Sequence, residues 1–324
     1  MIESVKHIDV FNGDADGICS LLQLRFAEPR ESVKLITGVK RDITLLNRVS
    51  AQKGDQITVL DISLDCNRVD VERLLASGAS IHYFDHHYSG GFTTKASTFN
   101  PYINESSNVC TSLIVDQYVN EQYKLWAITG AFGDNLIAIA HKACEKIGLN
   151  NTDISRLQRL GELINYNGYG ASLDNLYFHP AELFEYLQQQ DNPLAFDVES
   201  KEISILHEGY LSDFENTRNL KPEYCSSKVA VFKFPNEMWS RRVIGVMANN
   251  LVEMYPQRNH LFICPDGQGL LTISVRAAKE NPKNAAEFCR RYAHGGGRKN
   301  AAGINSFPVE MENNLITDFI KHWG

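Results

Sequence analysis

Apolar positions in the first hundred residues fall into short runs separated by stretches of helical period. Lys6–Phe11 is a short apolar strand, Gly17–Ala27 repeats at helical spacing, Val33–Val39 is a second strand, and Asp42–Val49 has the period of a helix. The pattern recurs. Gln56–Ile62 is β-branched and apolar, Asn67–Ala76 is helical with Gly78 marking its end, and Ser80–Phe84 is another strand. Strands alternating with helices predict a parallel sheet covered on both faces. From Asn108 to about Gln190 the period is mainly helical; Ser106, Ser107 and Asn108 are candidate caps, and Pro180 suits the first turn of a later helix. Glu199–Asn219 is charged, helical in period and poor in turn residues, as a connecting helix would be. A second unit follows, with strands at Lys228–Phe234, Leu261–Cys264 and Leu270–Arg276. Its helices fall at Arg242–Met254 and Ala285–Ala293, then come a glycine-rich turn over His294–Gly303 and a final helix at Asn313–His322. The fold class is α/β, with an N-terminal parallel-sheet domain and helical extension over 1–198, a connecting helix over 199–220 and a smaller α/β domain over 221–324.

A chain of 324 residues can bury two ordinary cores, and 43% hydrophobic with 22% charged residues is the balance of a chain that folds throughout. The net charge of -7 argues against coating long duplex nucleic acid, which relies on a basic surface that releases counterions. A local anion site remains open. The opening MIESVKHIDV has no apolar stretch of signal-peptide length, and no segment approaches a membrane span. Seven scattered cysteines without a CxxC pair read as reduced core thiols. The expected location is therefore the cytoplasm, with no membrane partner.

In parallel α/β sheets, ligands gather at the carboxyl ends of the strands. Three chemically distinctive segments fall there: Asn12-Gly13-Asp14-Ala15-Asp16-Gly17 after the first strand, Asp61 closing the third, and Asp85-His86-His87 closing the fourth. Carboxylates two residues apart, as at Asp14 and Asp16, repel unless a cation or basic group lies between them. A turn with an N-cap would use the same residue types. Asp61 ends an apolar run, where an unpartnered carboxylate is costly. Adjacent histidines can face a metal and a substrate oxygen separately, although pairs also occur in ordinary loops. Asp134, after the apolar helix Leu125–Phe132, could reach the same rim or simply end its helix. Carboxylate oxygens with one imidazole suit manganese or magnesium better than zinc.

Taken in order, Asn-x-Asp-x-Asp-Gly, a lone Asp after a strand, Asp-His-His and Gly133-Asp134 resemble the four motifs of the DHH phosphoesterase superfamily. Ser274-Val275-Arg276 and the run Gly295-Gly296-Gly297-Arg298 resemble its DHH-associated domain, so the resemblance spans nearly the whole chain. It implies two divalent cations, manganese with magnesium as the alternative. One would be held by Asn12, Asp14 and Asp61, the other by Asp16, Asp61, His86 and Asp134. His87 would face the phosphate and Asp85 would orient a histidine. Arg276, Gly295, Gly296, Gly297 and Arg298 would bind substrate, the glycine N–H groups forming an anion nest and the arginine gripping phosphate in bidentate fashion. Arg241, Arg242, Arg290, Arg291 and Lys299 add to a locally basic unit. The implied activity is hydrolysis of phosphate esters in short oligonucleotides or nucleotides. An inorganic pyrophosphatase or polyphosphatase and a nucleotide-binding regulatory protein are the alternatives. The oligomeric state stays open, a homodimer among the options.

Overall fold

Continuous apolar runs such as Ile8, Val10 and Phe11 or Ile57, Val59 and Leu60 meet the demand of a parallel sheet buried on both faces. The computed structural model, which describes residues 5–278 and 283–324, contains that sheet. Its strands are β1 (His7–Asn12), β2 (Val33–Gly38), β3 (Gln56–Leu60), β4 (Ser80–Asp85) and β5 (Phe99–Ile103). They lie in the order β2-β1-β3-β4-β5, every pair parallel. Helix α1 (Ala15–Ala27) links β1 to β2, and α2 (Leu64–Ala76) links β3 to β4. Alternation along the strands divides the core. Val10, Val59 and Tyr83 pack with Val71 and Leu74 of α2 on one face. On the other, Phe11 meets Phe184 and Phe84 meets Tyr118, with ring centroids 5.9 and 5.1 Å apart. A buried, bidentate Arg25–Asp9 pair at 2.7 and 2.8 Å ties α1 to β1, with Thr58 of β3 accepting from the same guanidinium at 3.2 Å.

The helical extension comprises α3 (Thr111–Tyr118), α4 (Lys124–Gly133), α5 (Ile137–Lys146), α6 (Asn151–Asn167) and α7 (Pro180–Leu187), and α8 (Lys201–Thr217) follows. The chain divides into two compact units, Met1–Gly168 with Ser172–His207, and Tyr169–Ala171 with Glu208–Gly324. The division falls within α8. The second unit holds β6 (Tyr224–Cys225), β7 (Val229–Lys233), α9 (Met238–Met254), β8 (Asn259–Pro265), β9 (Leu270–Arg276), α10 (Ala285–Cys289), β10 (Gly295–Gly297), β11 (Ala301–Pro308) and α11 (Glu312–Trp323). Its sheet runs β10-β11-β9-β8-β7-β6 and is mixed, β7 and β8 being its parallel pair. Val231, Ile263, Ile273, Phe288, Phe319 and Trp323 centre its core. All seven cysteines are free thiols. Among the described residues, no helix is long and apolar enough to cross a membrane.

Several expectations need correction. Over 42–49 there is only a 3-10 turn at Leu45–Arg48. Asn67 of α2 takes its backbone groups, donating to the Ile43 carbonyl at 2.6 Å and accepting from Leu46 N–H, so tertiary bonds replace a helical ladder. Strand β5 escaped the sequence pattern because Pro101 interrupts it; proline is tolerated there because β5 is the edge strand. Helix α10 stops at Cys289 rather than Ala293. The glycine-rich turn is a hairpin, β10 pairing antiparallel with β11 through Gly295–Ile304, Gly296–Gly303 and Gly297–Ala302. Gly295–Gly297 is thus an extended strand at the edge of the sheet. Gly297 needs its lack of side chain, since its φ is +133° and a Cβ would stand 2.5 Å from Ala302 Cα. Arg242 is not a surface charge: it is bonded to Asp213 at 2.5 and 3.0 Å within the second unit.

The second core also buries His260 completely, stacked 5.9 Å from Phe262. Burial, with the Arg258 and Arg276 charges adding to it, lowers its pKa from 6.5 to about 4. The unfolded chain takes up this proton at its ordinary pKa while the folded chain resists it. Stability from this group is therefore complete above pH 6.5 and is lost as the pH falls towards 4, by up to about 3 kcal/mol. Denaturant melts across this range should show that loss, and His260→Leu should flatten it; an unchanged slope in the variant would contradict the assignment.

Candidate metal centre

A parallel sheet whose first strand lies between the second and third has a switch point where chain connections leave in opposite directions, opening a crevice at the carboxyl ends. Here it lies between β1 and β3. The segment after β1 supplies Asn12, Asp14 and Asp16, β3 leads into Asp61, and β4 ends in Asp85-His86-His87. Asp14 caps α1, its Oδ1 accepting from the N–H groups of Asp16 and Gly17 at 3.1 Å each. Asp16, in the first turn of α1, is buried, and its carboxylate accepts from the N–H groups of Thr111 and Ser112 at 2.7 Å each. These open α3. The capping expected of Ser106, Ser107 and Asn108 is thus supplied from a distance, by a carboxylate against the positive end of a helix.

Asp61 has a φ of +59°, a left-handed conformation that is rare for aspartate and costs roughly 1–3 kcal/mol. The bend lets its Oδ1 accept from Thr111 Oγ1 at 3.1 Å and lie 3.3 Å from His86 Nε2. His86 Nδ1 donates to the Val109 carbonyl at 2.8 Å, which turns Nε2 towards the carboxylates. That nitrogen faces Asp61, Asp16 at 3.8 Å and Asp134 at 4.0 Å. Asp134 follows α4 as its C-cap. Its approach depends on Gly133, where a Cβ would stand 2.2 Å from Ala15 Cβ and 2.9 Å from the Gly161 carbonyl oxygen. Asp85 is buried below the rim. Its Oδ1 accepts from the backbone N–H groups of His86 and His87 at 2.9 and 3.2 Å and from His87 Nδ1 at 2.7 Å.

No family model matches the sequence, and no curated protein matches it. Among solved structures, it is similar to a protein described as a DHH-domain member of the s1p family of ribosomal proteins, at TM-score 0.67 and 13% identity, covering 98% of this chain and 86% of that one. An exonuclease RecJ bound to manganese matches at TM-score 0.60 and 16% identity, over 96% of this chain and 88% of that one. A pGpG-specific phosphodiesterase, PggH from Vibrio cholerae, matches at TM-score 0.54 and 14% identity, over 98% of each chain. The chain has the DHH-domain fold.

Within that fold the residues fit a divalent cation. Asp16, His86 and Asp134 form one group, and Asp61, His86 and His87 another, with each group's ligand atoms within 4.8 Å of one another. Three carboxylates converging on one imidazole carry more negative charge than it can balance, unless a cation is shared among them. Burial, against partial relief from His86 and with Asp134 and Asp14 reinforcing it, raises the Asp16 pKa. Burial and the charges of Asp16 and Asp14 push Asp61 well above the usual carboxylate range. Burial opposes a charged His87, but Asp85, by charge and hydrogen bond, and then Asp61 outweigh it and raise its pKa. Asn12 adds a second sign: its Oδ1 is buried with no hydrogen-bond partner, while its Nδ2 donates to the Lys40 carbonyl at 3.3 Å.

The structure does not bring every expected ligand into one group. Asp14 is bonded to the Lys40 ammonium and lies outside both groups. Arg276, Gly295, Gly296, Gly297 and Arg298 belong to the second unit. There, Arg276 donates to Ser274 Oγ at 2.9 Å and Asn249 Oδ1 at 3.3 Å, and Arg298 N–H donates to the Ala301 carbonyl at 2.8 Å. Sequence reasoning missed Lys40, Thr111, Ser112 and Asn165. Lys40 had a usable signal, lying two residues beyond β2 on the same rim. The others carry no local signature.

Gly133→Val should cost about 1–3 kcal/mol through overpacking against Ala15 and Gly161, and should also weaken manganese binding by moving Asp134. Denaturant unfolding and a manganese titration of the variant check both effects. Unchanged stability would contradict the close approach described here.

Proposed function

We propose that this chain is a phosphoesterase that requires divalent cations, manganese with magnesium as the alternative, and hydrolyses phosphate ester bonds in short oligonucleotides or nucleotides. The observation that carries the reading is the convergence of Asp16, Asp61 and Asp134 on Nε2 of His86. When bound, the cations would neutralise phosphate charge and acidify a water nucleophile. Asp16, Asp61, His86 and Asp134 would hold one, and Asn12, Asp14 and Asp61 the other.

His87 has a separate task. Its side chain is 34% exposed, its Nδ1 proton is held by Asp85, and its raised pKa favours the imidazolium. As the imidazolium it would present an Nε2–H donor and a positive charge to a phosphate oxygen, where both stabilise charge developing at the ester. Asp85 acts through His87, fixing its ring and tautomer. Arg276, Arg298 and the glycines Gly295, Gly296 and Gly297 of the second unit are the candidate substrate grip. The net charge of -7 favours short substrates over long nucleic acid, and seven free thiols suit a cytosolic setting. The structural neighbours described as an exonuclease and a pGpG-specific phosphodiesterase support the same substrate class.

Purified protein with manganese should cleave a labelled series of dinucleotides, and Asp61→Asn should slow cleavage by about 100-fold or more. Phosphate release from pyrophosphate or polyphosphate without dinucleotide cleavage would favour a phosphoanhydride hydrolase instead. Tight nucleotide binding with no turnover at any manganese concentration would favour a regulatory binder.

A further inference from the structure

Lys40 lies on the rim beside β1, just past the end of β2, and its backbone is fixed at both ends. Its N–H donates to the Gly168 carbonyl at 2.8 Å, and its carbonyl accepts from Asn12 Nδ2 at 3.3 Å. The ammonium is equally placed, donating to Asp14 Oδ2 and, at 3.0 Å, to Asn165 Oδ1 of α6. Asp14 is then fully engaged, since its other oxygen accepts the two N–H groups that begin α1. Around His86 the surroundings differ: three carboxylates converge on the imidazole there.

We infer that Lys40 is a built-in cation that competes with a divalent ion for Asp14, so that the centre fills its two positions unequally. This rests on the cation-dependent reading above and deepens it. An ion at the His86 position meets donors already aimed at it. At Asn12 and Asp14 an ion finds a neutral, unpartnered amide oxygen, but reaches the Asp14 carboxylate only by displacing an ammonium held by a second acceptor. Lysine suits this role, because a compact charge on a flexible stem can swing away where arginine's bidentate fork would hold on. The second position therefore fills only at high ion concentration.

The test is a manganese titration of the full-length chain after chelator treatment, following free manganese by electron paramagnetic resonance and heat by calorimetry. The wild-type chain should bind one ion tightly and a second at least about 10-fold more weakly. Lys40→Met should strengthen the second step by about 10-fold while leaving the first unchanged, and Lys40→Arg should widen the gap. Should Lys40→Met fail to fold, Lys40→Gln, which keeps a polar contact for Asn165, carries the same comparison. Two ions of equal affinity in the wild type, or an unmoved second step on removal of the ammonium, would overturn the inference. Absence of any manganese binding by the wild type would instead remove the cation-dependent reading itself.

Discussion

Four carboxylates, those of Asp14, Asp16, Asp61 and Asp134, share one rim of a parallel sheet, and three of them are almost entirely buried. Like charges in a medium of low dielectric repel strongly, and burial adds the cost of lost hydration. The surrounding structure offsets this in different ways. Asp16 takes two N–H groups from the start of α3, Asp14 caps α1 and holds the Lys40 ammonium, and Asp61 accepts a threonine hydroxyl from a strained backbone. What these partners do not offset is the meeting of Asp16, Asp61 and Asp134 at His86. Burial first, and then the neighbouring carboxylate charges, raise the pKa values of Asp16 and Asp61, and a divalent cation would offset both.

The fold exists on terms that this cluster sets. Strand order places the ends of β1 and β3 side by side, so residues roughly fifty positions apart in sequence become neighbours. Gly133 lets α4 close against α1 to deliver Asp134, and the Arg25–Asp9 pair holds the far part of α1 against β1. Asp85 gives up direct contact with the cluster to support two successive backbone turns and the His87 ring. Rigidity of this kind is what a site needs if its donors are to be in place before a ligand arrives.

Much of this was legible in the residues. Apolar runs alternating with helical period specified the parallel sheet, and the aspartates and histidines stood at strand ends, where such sheets bind ligands. Less legible were features decided by tertiary partners. The segment over 42–49 has a helical period, yet Asn67 takes its backbone bonds; α3 lacks a local cap because Asp16, nearly a hundred residues earlier, provides one. The proline in β5 argued against a strand until its edge position was known. Consecutive glycines expected to form a turn run as an edge strand because β11 offers them a partner. Lys40 had a positional signal, two residues past the end of β2 on the same rim, but its partners Asp14 and Asn165 are set by tertiary structure.

A cation at the convergence point of Asp16, Asp61, His86 and Asp134 would explain why these donors meet. Crystals grown with manganese and measured at its absorption edge would locate the ion directly. The expected result is an anomalous peak bonded to His86 Nε2 and to oxygens of those three carboxylates; a map with no peak there, or with manganese bound only elsewhere, would contradict it.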